Sequence, residues 1–284
     1  MQIFDFQINP LIYSALNEDI KGGDITTDAV VSEKNNPVMN CEVTAKRACT
    51  VCGLNIFSKV FEIVTKNDYI IDFYCSEGEK VDAMQKVLHL KAKAGDILYG
   101  ERTALNFLQH MSGIATASSI ASGELRGLKT KILDTRKTIP GLRLLQKYAV
   151  KIGGGENHRF DLSSGILIKD NHIKLAGGVK EAIGAVKKYY SGFNFKIEVE
   201  TSCLAEVREA VAAEADIIML DNMNIDTMKK AVKIINNAAL TEASGNMTVE
   251  KLRDIAVKTG VDYISMGSLT NSVMPADFSL NFVL

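Results

Sequence analysis

The stretch DTRKTIPGLRLLQKYAVKIGGGENHRFDLSSGILIKDNH, residues 134–172, decides the fold. It begins just past the apolar run Ile132-Leu133 and ends just past Ile166-Leu167-Ile168, with Leu142, Leu145, Ala149 and Ile152 striped between them. Steps of three and four residues mark a helix, and short apolar runs flanking a helix mark a strand-helix-strand unit. Arg136, Lys137, Lys151, His158, Arg159 and Lys169 cluster around the triple glycine 153–155. A charge run alone is commonly a solvated face. Here Arg136, Lys137 and Lys169 fall just beyond strand ends, the edge at which parallel α/β folds bind ligands.

Downstream the same texture repeats. Strands are predicted at Lys131 to Asp134, Ile166 to Lys169, Phe195 to Glu200, Ile217 to Asp221, Ala238 to Glu242 and Tyr263 to Met266. Helical stripes lie between them, as in Val179, Ile183, Val186, Tyr190 or Leu252, Ile255, Thr259. Regular alternation of this kind means a parallel sheet, and Thr248 and Gly260 are suited to cap and stop the last long helix. Six units are fewer than a full eight-unit barrel, so pattern alone leaves an open doubly wound sheet or a reduced barrel.

Upstream, residues 1–110 read as mixed α and β. Ile12, Ala15 and Leu16 begin a helical stripe that ends in the glycine turn at Gly22-Gly23. Cys41, Val43 and Ala45, and then Leu88, Leu90 and Ala92, alternate with polar neighbours as in an antiparallel sheet with one wet face. Residues 97–122 form a long helix with Leu105, Leu108, Met111 and Ala115 on one face, bridging two domains divided near residue 110. Arg102 and His110 read as exposed residues of that helix.

A formal net charge of -1 over 284 residues argues against a general nucleic-acid or anionic-membrane binder. No apolar run approaches a membrane span, and MQIFDFQINP has no export-signal pattern, so the expected setting is the cytoplasm. Five scattered cysteines do not form a disulfide framework. Cys49 and Cys52 make a CxxC without a second ligand pair or a thioredoxin-like context.

All six strand ends are polar: Asp134-Thr135-Arg136-Lys137, Lys169-Asp170-Asn171-His172, Glu200-Thr201, Asp221-Asn222, Ser244-Gly245 and Gly267-Ser268. They converge on one rim. Arg136 and Arg159 offer forked donors for carboxylates or phosphates, and Lys137 and Lys169 offer compact charges for phosphate oxygens. Glu200 and Asp221 suit Mg²⁺ or a cationic transition state, while the Ser-Gly and Gly-Ser pairs after the last strands suit a phosphate. His158 suits hydrogen bonding or proton transfer. The substrate read from these charges is polyanionic with a phosphate at one end.

The run DTRKT, PG, KYAV, GGGENHR and LIKDNHI closely resembles the quinolinate phosphoribosyltransferases, also called nicotinate-nucleotide pyrophosphorylases (carboxylating). EDIKGGDITT and ERTALNFLQHMSGIAT precede it, and EVE, LDN, EASGN and ISMGSLT follow it; the likeness runs from about residue 11 to the C-terminus. The resemblance implies an α/β chain: an N-terminal α/β sandwich, 1–110, joined by the tail 271–284, and a reduced TIM-like α/β barrel of fewer than eight strands, 111–270, carrying the active site. It implies conversion of quinolinate and phosphoribosyl pyrophosphate to nicotinate mononucleotide, pyrophosphate and CO₂ with Mg²⁺, in a homodimer or larger assembly.

By the same resemblance Arg136, His158 and Arg159 bind quinolinate, with Arg102 from the neighbouring subunit. Lys137 and Lys169 contact phosphoribosyl pyrophosphate, Glu200 and Asp221 hold ribose and metal, and Ser244, Gly245 and Gly267 cradle the 5′-phosphate. The chain departs from the family pattern at Phe160 to Ser164, Asn246 and Asn271. A relative acting on another pyridine and a catalytically silent phosphosugar-binding subunit are the rival readings.

Overall fold

The computed structural model describes residues 3–31, 35–193 and 195–283. Met1 and Gln2 of the N-terminal stretch and Leu284 of the tail lie outside the described residues. The chain runs α1 (Asp5–Ile20), α2 (Ile25–Val30), β1 (Val38–Ala45), β2 (Cys49–Thr50), α3 (Leu54–Val64), β3 (Ile70–Phe73), β4 (Lys80–Val81), β5 (Lys86–Lys93) and α4 (Ala94–Glu124). It continues through β6 (Lys131–Leu133), α5 (Arg143–Ile152), β7 (Ile166–Ile168), α6 (Asp170–Ala176), α7 (Val179–Tyr189), β8 (Ile197–Thr201), α8 (Leu204–Ala212), β9 (Ile217–Asp221) and α9 (Ile225–Ile235). It ends with β10 (Leu240–Ser244), α10 (Val249–Thr259), β11 (Tyr263–Ser265), α11 (Ser268–Asn271) and β12 (Phe278–Val283). Two units result: Met1–Ser119, Ile139–Gly154 and Ser272–Leu284 form one, and Ile120–Thr138 with Gly155–Asn271 the other.

In the first unit an antiparallel sheet runs β12-β1-β5-β3. Cys41, Val43 and Ala45 are fully buried on β1, opposite Phe282, Leu280 and Phe278 of β12. The chain reaches β12 by crossing α4: Ala276 N–H donates to the Gln109 carbonyl at 2.9 Å, and a Cβ on Gly113 would stand 2.4 Å from the Met274 carbonyl oxygen. Only glycine leaves room for that crossing.

Helix α5, predicted with the barrel segment, counts with the first unit because it packs on α4. A Cβ on Gly153 would lie 2.3 Å from the Ala115 carbonyl oxygen, so the first glycine of the triple sits at a close helix approach. His110 is not the exposed residue predicted for α4: it is half-buried, with Nε2 2.9 Å from the buried Gln146 side-chain nitrogen. Cys49 and Cys52 are free, buried thiols. Burial pushes Cys49 up to about 11 and Cys52 higher still, so neither is a ready thiolate.

The second unit holds six parallel strands in the order β6-β11-β10-β9-β8-β7. The first strand of the unit lies beside the last, and the remaining neighbours are consecutive. That is the cyclic order of a barrel with its seam between β6 and β7, and it separates a reduced barrel from a doubly wound sheet, whose order reverses. At the seam the segment after α5 makes a parallel bridge from Glu156 to Leu133. β9 forms over the residues predicted. β10 is two residues later than predicted, at Leu240–Ser244 rather than Ala238 to Glu242, because Leu240 and not Ala238 aligns with Ile217 of β9. Among the described residues no helix is long and apolar enough to cross a membrane.

Candidate active site

At the C-terminal ends of the barrel strands a cavity of about 320 Å³ is lined by the cations Arg136, Lys137, Arg159 and Lys169, the imidazole of His158 and the carboxyls of Glu200, Asp221 and Glu242. The hydroxyls of Thr135, Ser244 and Ser265 and the apolar Leu167 and Met219 complete its wall. Eight of the predicted residues therefore share one wall: Arg136, Lys137, His158, Arg159, Lys169, Glu200, Asp221 and Ser244. Gly245 borders an adjoining depression beside Asn222 and Asn246. Gly267 packs under Lys137, where a Cβ would lie 3.0 Å from Lys137 Cδ. Arg102 belongs to the other unit, exposed on α4.

Local hydrogen bonds explain how so many charges hold position. Asp134, fully buried past β6, accepts from the Asn157 amide at 2.6 Å and from His158 N–H at 2.8 Å. Backbone bonds from Asp134 N to Glu156 O and from Glu156 N to Ile132 O, at 3.1 and 2.9 Å, lay this loop along β6. Lys137 is fixed through its backbone: its N–H donates to Thr135 Oγ1 at 3.0 Å and its carbonyl accepts from Thr270 Oγ1 at 2.8 Å. The Arg159 guanidinium donates through Nη1 to the Gly165 carbonyl at 3.0 Å. Burial, and then the charge of Arg136, pull its pKa below the usual value. Two crowded cations in a half-buried wall favour an anion between them.

Glu200 has the converse environment. Burial first, and the neighbouring Asp221 carboxylate second, raise its pKa. Asp221 is oriented by the Asn222 amide, 2.7 Å from its Oδ2. Asn222 adopts φ 53°, a conformation asparagine tolerates, and Gly245 at φ 99° passes so close that a Cβ would lie 2.2 Å from Asn222 Oδ1.

Two descriptions of one family match successive parts of the chain: the quinolinate phosphoribosyl transferase N-terminal domain over residues 24–112, and its C-terminal domain over residues 114–281. The chain belongs to the quinolinate phosphoribosyltransferase family. A probable nicotinate-nucleotide pyrophosphorylase (carboxylating) of Bacillus subtilis is 40% identical over 279 residues, covering 98% of this chain and 94% of that one. The nicotinate-nucleotide pyrophosphorylase (carboxylating) of Mycobacterium leprae is 38% identical over 95% of each chain. The crystal structure of NadC from Streptococcus pyogenes matches with a TM-score of 0.93 at 37% identity, covering 100% of this chain and 99% of that one.

Within this quinolinate phosphoribosyltransferase family member, the departure at Phe160 to Ser164 is an ordered turn. Asp161 Oδ1 accepts from Ser163 N–H, Ser163 Oγ and Ser164 Oγ at 2.9, 2.8 and 2.6 Å, and the Ser164 and Ser163 hydroxyls hold its carboxyl down to about 2. Asn246 stands at φ 48° with its amide 3.4 Å from Asn222 Oδ1. In the LIKDNH run, His172 Nδ1 accepts from Lys169 N–H at 2.9 Å and caps α6, a short helix that strand-end reading did not anticipate.

Sequence reasoning missed two carboxyls inside the barrel. Glu198 and Glu242 are 6% and 1% exposed, with Glu198 Oε2 2.9 Å from His158 Nε2 and Glu242 Oε2 4.0 Å from it. Burial and the nearby Glu198 push the Glu242 pKa well up. The signal was present in the period-two spacing: Glu198 shares a strand face with Glu200, and Glu242 with Ser244. His158, Glu198 and Glu242 put ligand-type atoms within 4.8 Å of one another. Glu200 and Asp221, to which the metal was assigned, lie further toward the C-terminal ends of β8 and β9.

Proposed function

We propose that the chain transfers the phosphoribosyl group of phosphoribosyl pyrophosphate to the ring nitrogen of quinolinate, releasing pyrophosphate and CO₂ and giving nicotinate mononucleotide for NAD biosynthesis. The observation that carries this reading is a pair of buried guanidinium Nε–H groups, on Arg136 and Arg159, that find no acceptor among the described residues. Two such donors beside one cavity call for an anion with several acceptor oxygens, which a dicarboxylate such as quinolinate supplies.

Arg136, Arg159 and His158 form the carboxylate-reading end, and Lys137 and Lys169 face the pyrophosphate. As the bond to pyrophosphate breaks, positive charge grows on the ribose ring, and the carboxylates of Glu200 and Asp221 stabilise it. Holding the pyridine nitrogen in line with the breaking bond supplies much of the remaining acceleration. Decarboxylation follows when the surrounding cations stabilise the electron pair left on the ring carbon as its bond to CO₂ breaks, and that carbon then takes a proton from solvent to complete the product. Ser244 at the end of β10, Gly245 just after it and Gly267 just after β11 suit the 5′-phosphate.

The residues present fit Mg²⁺. Glu200 and Asp221 repel one another, and a divalent cation between them relieves that repulsion while leaving sites for substrate oxygens. When bound it neutralises the departing pyrophosphate. A homodimer in which Arg102 of one chain completes the quinolinate end of the other, working in the cytoplasm, belongs to the same proposal. The test incubates the protein with phosphoribosyl pyrophosphate, Mg²⁺ and either quinolinate or nicotinate, and follows nucleotide and CO₂. Product from quinolinate is expected; product from nicotinate alone, or from neither, refutes the reading.

A further inference from the structure

Nicotinate carries a hydrogen where quinolinate carries the carboxylate that leaves, so the proposed reaction needs a proton delivered to the ring carbon beside the nitrogen. Substrates that fill the cavity at the C-terminal ends of the strands also cover the mouth that admitted them. A proton drawn from solvent must then pass through a group in the wall, and that group must be reachable from another side.

A second cavity, of about 430 Å³, lies at the opposite end of the barrel. Ile166, Ile217, Leu240 and Tyr263, the first residues of β7, β9, β10 and β11, line it. With Asn157, Ser164 and Glu198 also in its wall, this floor cavity is polar and large enough to hold water. His158, Arg159 and Glu242 line both cavities, whereas Lys137, Lys169, Glu200 and Asp221 line the active-site cavity but not the floor. A guanidinium does not give up its proton at neutral pH, and His158 belongs to the carboxylate-reading end. Glu242 remains. It is the central residue of β10 and 1% exposed, and its Oε1 has no hydrogen-bond partner among the described residues. Burial, and the neighbouring Glu198 after it, favour the protonated form of its carboxyl.

We infer that Glu242 is a catalytic acid of the decarboxylation, giving its proton to the ring carbon from which CO₂ departs. The inference rests on the proposed function and deepens it. The bond from the ring carbon to the leaving carboxylate breaks, CO₂ departs, and the bonding pair stays on the carbon. That pair takes the proton of Glu242, forming the C–H bond of nicotinate mononucleotide and leaving Glu242 as a carboxylate. A second negative charge beside Glu198 is unfavourable, which drives the return of a proton from solvent through the floor cavity. Substrate binding at the other end leaves that route open.

Glu242→Gln has the shape of the protonated carboxyl and no acid proton to give. In a rapid-quench single turnover with Mg²⁺ and both substrates, its pyrophosphate release stays within about 3-fold of the parent, because the acid acts after that bond has broken. CO₂ and nicotinate mononucleotide appear roughly 100-fold more slowly, the scale of general-acid catalysis. CO₂ release within about 3-fold of the parent, or pyrophosphate and CO₂ slowed equally, overturns the assignment.

A second measurement does not depend on turnover. With quinolinate bound at neutral pH, the infrared spectrum of the parent shows a protonated-carboxyl stretch that disappears in Glu242→Gln; a parent without that band overturns the inference as well. A parent that forms no nicotinate mononucleotide from quinolinate sinks the proposed function instead, and the infrared band then still decides whether Glu242 holds a proton.

Discussion

Replacing Gly153 with alanine tests the packing that brings α5 onto α4. Gly153 has an ordinary φ of -76°, so the backbone accepts alanine and any cost is steric. The new methyl would lie 2.3 Å from the Ala115 carbonyl oxygen and 2.5 Å from Ser118 Cβ. That is about 1 Å inside ordinary nonbonded contact, and the obstacle is helix backbone that cannot rotate away. Overpacking of this kind costs about 1–3 kcal/mol, which lowers the melting temperature by roughly 2–10 °C in a chain of this size.

Gly184 supplies the control. It lies exposed inside α7 with nothing within 4 Å of an added Cβ, so the same substitution there removes only the backbone freedom of glycine. A gain of about 0.5–1 kcal/mol is expected. Scanning calorimetry of the two variants should show opposite signs. A melting temperature for Gly153→Ala equal to or above that of the parent, with Gly184→Ala raised as expected, refutes the close approach as the reason for the first glycine.

Lys137→Ala should lower kcat by ~10²–10³-fold while moving the quinolinate KM far less, since the ammonium acts on charge that develops during reaction; unchanged turnover sinks its role. Asp134→Leu leaves the Asn157 amide and His158 N–H without their acceptor at a fully buried position, and should cost about 2–5 kcal/mol in chemical denaturation together with a raised quinolinate KM. Glu242→Gln has a pH signature. The folded carboxyl holds its proton above the usual range because of burial and Glu198, so the folded state binds more protons than the unfolded one, and parental stability falls as pH rises above the ordinary carboxylate range. Glutamine has no proton to lose, so the melting temperature of the variant relative to the parent should climb between about pH 5 and pH 8; a pH-independent difference contradicts the shift.

The barrel was legible in sequence because strands buried on both faces are short apolar runs bounded by polar ends, and β9 read residue for residue. The rim was legible for the same reason: Arg136, Lys137, Lys169, Glu200 and Asp221 stand where those runs stop. What remained hidden was inside. Glu198 and Glu242 look like breaks in apolar strands until the alternation is counted, and placing β10 two residues early made Glu242 the end of a strand instead of its interior. Asp134 reads as one more polar rim residue, and only its burial and two loop contacts show it facing inward. The α5 helix carries its own stripe correctly, but a stripe does not say which partner it meets, and the glycine that decides this points at a backbone far along the chain.

The pairing of β12 with β1 sets a timetable for synthesis. More than 200 residues separate Ala45 from its partner Phe278, a stretch that takes roughly 10–50 s to translate. Through that interval β1 presents one unpaired edge with Cys41, Val43 and Ala45 on one face, a template for another nascent chain. Premature termination before Phe278 would spare every catalytic candidate in the barrel and still release a polypeptide with an adhesive edge. Pairing of the six-residue β12 is therefore the step that covers this edge.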